Sequence, residues 1–266
     1  MILLLAGCAM DRVRNADELA APSGLHREHI ATGTFVLTAY TRIPRADRPL
    51  RVYIEGDGLA WITRTQPSAD PTPRNAVGLT LAAQDASDNV AYLARPCQFT
   101  PMSLNPQCTP VWWTGKRFGI EIVNAMNAAI DRLAARAPGQ RVELIGYSGG
   151  GALAVLLAAR RHDVASIRTV AGNLDTEFVN QLHEVSAMPE SLNPINEADR
   201  VAAIPQLHIS GANDKIVPPS VAARFASATG PRCVRTRTLN GLDHGGNWAA
   251  QWPALLSEAP VCSDQK

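Results

Sequence analysis

A serine set between glycines is the clearest chemical signal in the sequence. The motif Gly-Tyr-Ser-Gly-Gly at residues 146–150 follows an apolar run at residues 142–145 and opens a second apolar stretch. This context predicts a tight turn from strand to helix, on which the Ser148 hydroxyl is exposed. The glycines let neighbouring backbone approach closely, and the N-terminus of the following helix favours developing negative charge. We therefore predict that Ser148 is a nucleophile.

The residues that could activate this serine are a histidine and an aspartate further along the chain. A serine hydroxyl is a poor nucleophile until a base accepts its proton, and neutral imidazole is such a base near pH 7. His244 is the candidate base, and Asp214 is the candidate acid that fixes its tautomer. Asp175 also follows a predicted strand and is the rival acid, whereas we interpret Asp243 as a loop-shaping residue.

All three candidates follow predicted strands in a chain that alternates strands with helices. The alternation predicts a doubly wound α/β fold, with a mostly parallel sheet, helices on both faces and a site at the carboxyl ends of the strands. The predicted strands cover residues 33–42, 50–55, 89–95, 141–146, 167–171, 207–210 and 234–239. The predicted helices cover residues 77–87, 118–137, 150–161, 220–229 and 248–258. The long irregular stretch at residues 175–199 is predicted to be a small lid.

From about residue 30 onward the sequence resembles the α/β-hydrolase family, in its esterase- and lipase-like members. The family's order of nucleophile, acid and histidine matches Ser148, Asp214 and His244. The resemblance implies a carboxylic-ester hydrolase that forms an acyl-enzyme on Ser148 and needs no metal or organic cofactor. Two alternatives remain open: an acyltransferase or peptidase with the same triad, or a non-catalytic envelope lipoprotein that kept the fold.

The same resemblance implies an oxyanion hole made of two backbone N–H groups. One belongs to Gly149, the residue after the nucleophile. The other comes from the loop after the strand at residues 50–55, where Asp57 is the candidate and Gly58 the alternative. The sequence departs from the family here, because Glu55 stands in the place of a histidine and Asp57 is itself acidic.

Composition limits the possible partners. The formal net charge is +1, so nothing indicates a nucleic-acid partner. We expect a small-molecule or lipid-like ester substrate, and the sequence does not determine the oligomeric state. Four aromatic residues are candidates for an acyl or aryl pocket: Trp61, Trp112, Trp113 and Phe178.

The N-terminus resembles the end of a bacterial lipoprotein signal, because Leu-Ala-Gly-Cys at residues 5–8 has the form of a lipobox. The resemblance implies cleavage before Cys8 and a lipid anchor on its thiol. Because no aspartate follows Cys8, it favours the periplasmic side of the outer membrane over the inner membrane. We expect residues 1–8 to be a signal remnant, 9–28 an irregular tether and 29–266 the hydrolase domain.

Four cysteines remain when Cys8 is set aside. Export to an oxidising compartment would make two disulfides of them. We favour pairing Cys97 with Cys108 across a short loop and Cys233 with Cys262 in the C-terminal part, although four cysteines allow three pairings.

Overall fold

One eight-stranded sheet organises the molecule, with strand order β1-β2-β4-β3-β5-β6-β7-β8. The computed structural model describes residues 3–263, and side chains from residue 11 onward. Strand β2 runs antiparallel to both of its neighbours, and the other pairs are parallel. The strands are β1 (His26–Ala31), β2 (Val36–Arg42), β3 (Leu50–Ile54), β4 (Asn89–Leu93), β5 (Val142–Tyr147), β6 (Val164–Val170), β7 (Gln206–Gly211) and β8 (Val234–Leu239).

Helices cover both faces of the sheet, which confirms the predicted doubly wound fold. The described helices are α1 (Leu3–Ala20), α2 (Val77–Ala83), α3 (Ile120–Ala134), α4 (Gly149–Ala158), α5 (Thr176–Leu182), α6 (Ala198–Val201), α7 (Pro219–Thr229) and α8 (Trp248–Ser257). Side chains of β3 alternate between two apolar clusters: Val52 packs with α3, α4 and α7, and Tyr53 with α1, α2 and α8. Helix α4 lies against the central strands, and all of its residues are buried.

The N-terminal region differs from the predicted tether. Residues that we expected to be irregular form α1 and β1 instead. Ala16 and Ala20 of α1 are buried against the cluster that contains α2, so this helix belongs to the domain. Cys8 lies within the backbone of α1, but its side chain falls outside the described residues, so its acylation stays a prediction.

The segment at residues 175–199 is more ordered than predicted. It contains α5, a 3-10 turn at Pro194–Glu197 and α6. Asp175 caps α5 by accepting a hydrogen bond from the Phe178 N–H at 3.1 Å. Its role as a lid stays a prediction.

Two disulfides join Cys97 to Cys108 and Cys233 to Cys262. Disulfides are typical of proteins that fold in an oxidising compartment, which indicates an extracytoplasmic protein. The second disulfide encloses the segment that carries His244. Within residues 3–263 no helix is both long and apolar enough to cross a bilayer.

Candidate active site

Ser148 lies on a strained turn between β5 and α4. Its φ is 51°, in the left-handed region that non-glycine residues rarely occupy. The glycines on either side are needed for close backbone approach. A Cβ on Gly146 would overlap the carbonyl of Gly150, and a Cβ on Gly150 would overlap the carbonyl of Ile54. The turn therefore depends on the sequence motif in the way that the pattern predicts.

The structure brings Ser148, His244 and Asp214 into one hydrogen-bonded chain. His244 Nε2 lies 2.9 Å from Ser148 Oγ, and His244 Nδ1 lies 2.8 Å from Asp214 Oδ2. The Asp214 carboxylate is buried, and its other oxygen accepts the N–H groups of Ile216 and Val217, each at 2.8 Å. These backbone donors hold the carboxylate in a fixed orientation toward the imidazole.

Two side chains that the sequence did not predict for the site contact the backbone of His244. The Tyr147 hydroxyl and the Trp248 indole N–H both donate to the His244 carbonyl oxygen, at 2.9 and 3.0 Å. The rings of Tyr147 and His244 also pack at a tilt of 36°. Tyr147 directly precedes Ser148 in the motif, so the sequence predicts that it lies near the site. Nothing in the sequence predicts its contact with His244.

Asp175, the rival acid, is engaged elsewhere. Besides capping α5, its carboxylate accepts from Asn193 Nδ2 at 3.2 Å and forms an ion pair with Arg224 of α7 at 3.0 Å. The hydrogen-bond partners of Asp175 therefore link α5 to α7, while Asp214 contacts the imidazole.

The loop after β3 lies directly over the serine turn. A Cβ on Gly56 would be 3.3 Å from Ser148 Cβ, and the Gly56 carbonyl accepts from Gln98 Nε2 at 3.0 Å. The Asp57 carboxylate lies against the Cα of Gly149, where a Cβ would overlap Asp57 Oδ1. Both residues that the sequence assigned to the oxyanion hole are therefore neighbours in space.

Two arginines neutralise the Asp57 carboxylate. Arg95 donates to Asp57 Oδ1, and Arg117 Nε lies 3.4 Å from Asp57 Oδ2. Burial alone would raise the pKa of Asp57, but the charges of Arg117 and Arg95 outweigh it and hold the pKa below its usual value. The carboxylate is thus ionised, and the cluster of Asp57, Arg95 and Arg117 carries a net positive charge beside Gly149.

Sequence reasoning missed Arg95, Arg117 and Gln98. Arg95 has a recognisable signal, because it is a charged residue two positions after the buried end of β4 at the carboxyl edge of the sheet. Arg117 and Gln98 lie in loops and are marked by no pattern.

Glu55 has a structural place in this loop. It is buried, and it accepts hydrogen bonds from the Gly56 N–H at 2.9 Å, the Gly78 N–H at 3.3 Å and the Tyr92 hydroxyl at 3.0 Å. Burial raises its pKa above the usual value. Glu55 therefore ties the loop to the start of α2 and to β4.

Of the four aromatic candidates for a substrate pocket, Trp112 and Trp113 pack in or against the hydrophobic core. Trp113 is buried and donates to the Ser68 carbonyl, and Trp112 packs edge-on against Phe35 at 5.4 Å between ring centroids. Phe178 is half-buried beneath the Arg224 guanidinium. Trp61 is exposed in the loop after β3.

Hydrogen bonds join the turn that holds Asp214 to two other segments with exposed apolar side chains. The Arg64 side chain donates to the His183 carbonyl at 3.3 Å, and His183 Nε2 lies 2.8 Å from the Ile216 carbonyl. These contacts join the loop after β3, the end of α5 and the turn that holds Asp214. The joined segments carry exposed Trp61, Ile62, Leu182, Val185 and Ile216.

Comparison with solved structures places the fold among α/β-hydrolases. The acylaminoacyl peptidase of Pyrococcus horikoshii aligns with a TM-score of 0.63 at 12% identity, over 91% of this chain and 42% of the peptidase, so this chain spans about two fifths of that protein. Est1E from Butyrivibrio proteoclasticus aligns at a TM-score of 0.58 and 15% identity over 87% of this chain and 97% of its own. A bacterial membrane phospholipase A, described as a virulence factor, aligns at 0.59 and 14% over 96% and 92%. Identities this low show the fold alone.

Sequence comparison gives the family. No curated protein sequence matches the chain significantly. Residues 82–241 match the family model described as serine hydrolase (FSH1), and this range includes the serine turn and Asp214. The chain therefore belongs to the FSH1 family of serine hydrolases and has the α/β-hydrolase fold.

Proposed function

We propose that this serine hydrolase cleaves carboxylic esters through an acyl-enzyme on Ser148. The observation that carries the proposal is the position of His244, whose two ring nitrogens lie within 2.9 Å of Ser148 Oγ and Asp214 Oδ2. This is the arrangement in which a neutral imidazole accepts the serine proton while a carboxylate stabilises the resulting imidazolium.

Acylation is the first half of the reaction. Ser148 Oγ attacks the ester carbonyl carbon, and its proton passes to His244 Nε2. The carbonyl oxygen becomes an oxyanion that accepts hydrogen bonds from the N–H groups of Gly149 and Asp57. The bond to the alcohol oxygen then breaks, His244 returns its proton to the leaving alcohol, and the acyl group stays on Ser148.

Deacylation repeats these steps with water. His244 Nε2 accepts a proton from water, the hydroxyl oxygen attacks the acyl carbon, and the bond to Ser148 Oγ breaks. The proton on His244 returns to Ser148 and the carboxylic acid leaves. We assign the second oxyanion donor to Asp57, because its carboxylate lies against Gly149 and no acceptor for its N–H is found among the described residues. Gly58, the alternative donor, is exposed, and its Cα lies close to the Pro71 carbonyl, which a Cβ would overlap.

The surroundings of the site support esters with apolar acyl groups. The exposed apolar side chains of the segments joined to the Asp214 turn, Trp61, Leu182 and Ile216 among them, offer contact area to an alkyl chain. A peptidase is the second candidate, and the acylaminoacyl peptidase neighbour favours it, although this chain covers only 42% of that protein.

A pair of substrates with the same acyl group tests the assignment. We expect turnover of p-nitrophenyl butyrate and octanoate and at least 100-fold slower turnover of the matching anilides. A fluorophosphonate probe should label Ser148 in the wild type and leave Ser148→Ala unlabelled. Faster turnover of the anilides would favour the peptidase, and labelling of Ser148→Ala at another serine would reject the proposed nucleophile.

We also propose that the natural gene product is anchored through Cys8. Helix α1 connects Cys8 to the buried Ala16 without a flexible linker, so an anchored domain would lie close to the membrane surface. Protein made from its natural start codon should partition into detergent, and Cys8→Ser should stay in the aqueous phase. An intact, unlipidated N-terminus by mass spectrometry would contradict the anchor.

A further inference from the structure

A groove of about 990 Å³ lies beside α1, between the loop after β3 and the loop after β4. This volume is within the range of small-molecule sites. Ser148, Asp214 and His244 do not line it. The groove is therefore a concave surface that the proposed reaction does not use directly.

One wall of the groove is apolar. Val13 of α1, Leu59, Ile62, Phe99 and Met102 contribute to it. Ile62 is 50% exposed and Met102 is 39% exposed, so large apolar side chains face solvent in a concavity. Such a wall favours an alkyl chain, since transfer of methylene groups from water onto apolar surface is the main source of affinity available there.

The lining of the groove has four arginines against two aspartates, and one of these arginines, Arg14, pairs with Asp11 outside the lining at 2.9 Å. Arg12 is engaged by the Thr72 carbonyl at 2.7 Å and by Asp70, and Arg27 by Asp17 at 3.0 Å. Arg74 lines the groove, is exposed and has no ion-pair partner among the described side chains. A guanidinium in this position suits a bidentate contact with a carboxylate.

Hydrogen bonds connect the segments that line the groove to the loop after β3, which carries Asp57. The Leu59 N–H donates to the Pro71 carbonyl at 3.0 Å, and the Phe99 N–H donates to Thr72 Oγ1 at 2.9 Å. Gln98, next to Phe99, holds the Gly56 carbonyl. Leu59 is two residues after Asp57, a separation of at most about 7 Å along the chain. The groove is thus connected to the loop after β3 that carries Asp57.

We propose that this groove binds a long-chain fatty acid, with the alkyl chain on the apolar wall and the carboxylate on Arg74. A neutral ligand would leave the Arg74 guanidinium without a counter-charge, and a short anion would leave the apolar wall uncovered. The site is independent of turnover, so its occupancy is measured by binding and does not depend on whether the chain proves to be an esterase.

Calorimetric titration with octanoate, decanoate and dodecanoate, each below its micelle concentration, tests the apolar wall. Affinity should rise by up to about fourfold per added methylene. Ile62→Ser and Met102→Ser should each reduce this gain, whereas Ile120→Ser should not, because Ile120 is similarly exposed on α3, away from the groove. Affinity that does not change with chain length would overturn the proposal.

The head group has its own controls. Arg74→Ala should weaken dodecanoate binding about tenfold, and Arg132→Ala, an exposed arginine on α3 outside the groove, should leave it unchanged. Dodecanol, which has the same alkyl chain without a carboxylate or an ester bond, should bind wild type and Arg74→Ala equally. Equal binding of dodecanoate to wild type and Arg74→Ala would overturn the assignment of the carboxylate. Much tighter binding of dodecyl phosphate than of dodecanoate would overturn the fatty acid as the ligand. Ser148 does not line the groove, so the ester turnover of Ser148→Ala tests the proposed function and leaves the groove proposal unaffected.

Discussion

Replacement of Gly149 by alanine should damage catalysis through Asp57. The new Cβ would overlap Asp57 Oδ1 and would lie 2.9 Å from Arg95 Nη1. Aspartate has a short side chain, and this carboxylate is held by Arg95 on one oxygen and lies beside Arg117 on the other. It cannot turn aside without separating these charges, so the overlap should move the backbone of Asp57 and its N–H away from the oxyanion.

The expected loss follows from the value of one oxyanion donor. Removal of such a donor typically costs about 10²–10³ in kcat. We therefore expect Gly149→Ala to lower kcat for p-nitrophenyl butyrate by roughly 100-fold with little change in KM, because the donor acts mainly in the transition state. Thermal unfolding should show that the variant is folded.

Two double variants separate this cause from general disturbance of the serine turn. Asp57→Ala removes the overlapping oxygen but keeps the backbone N–H, so Gly149→Ala in this background should cost less than about threefold. Asp57→Asn keeps the shape of the side chain, so in that background Gly149→Ala should still cost more than tenfold. Wild-type activity of Gly149→Ala, or an equal cost in both backgrounds, would refute the reasoning.

Three further predictions concern the residues around the histidine and one buried group. Asp214→Asn should lower kcat by about 10⁴, since the imidazole would be held in the wrong tautomer; Asp175→Asn should leave kcat within twofold of wild type, and the reverse ranking on the same ester would move the acid to Asp175. Tyr147→Phe removes one of the two donors to the His244 carbonyl, so kcat should fall two- to tenfold with KM unchanged, as expected for a net hydrogen bond of about 1 kcal/mol; a change in KM alone would contradict a positioning role. Burial lowers the pKa of His208 to about 3, whereas the unfolded chain protonates near 6.5. Between pH 6.5 and 3 the unfolded chain therefore binds a proton at His208 that the folded chain does not, so the fold loses roughly 1.4 kcal/mol of stability per unit as the pH falls through this range. Urea unfolding of wild type and His208→Gln from pH 7 to 5 should show the wild type losing more stability, and parallel pH profiles would contradict it.

The central strands and the meeting of Ser148, Asp214 and His244 were predictable because their signals are local. Strands β3, β4 and β5 are short runs in which apolar residues predominate, with Arg51, Asn89 and Glu143 as their charged or polar members. The serine turn is specified within residues 146–150, and the acid and histidine each follow a strand in chain order. Parallel strands bring their carboxyl ends to one edge, so residues far apart in sequence meet there.

Helix α1 and strand β1 were missed because little apolar surface marks them. Among the side chains of α1 from residue 11 onward, the buried ones are Ala16 and Ala20, small residues that give almost no hydrophobic periodicity, and Val13 and Leu19 are only partly buried. In the edge strand β1 only Ile30 is buried, so the alternation that identifies a half-buried strand is lost. Both elements are held by tertiary contacts that the local sequence does not predict.

The acidic residues of the oxyanion loop show why part of a site lies beyond sequence reasoning. Glu55 and Asp57 looked like departures from the family pattern, because a negative charge beside a developing oxyanion opposes catalysis. The structure gives each of them partners distant in the chain: Gly78 and Tyr92 for Glu55, and Arg95 and Arg117 for Asp57. Removal of Asp57 alone would leave two arginines without their carboxylate, and removal of either arginine would leave a less compensated anion against Gly149. The acid, its two arginines and the glycine therefore act as one unit, and the residue type at any one of these positions has meaning only together with the other three.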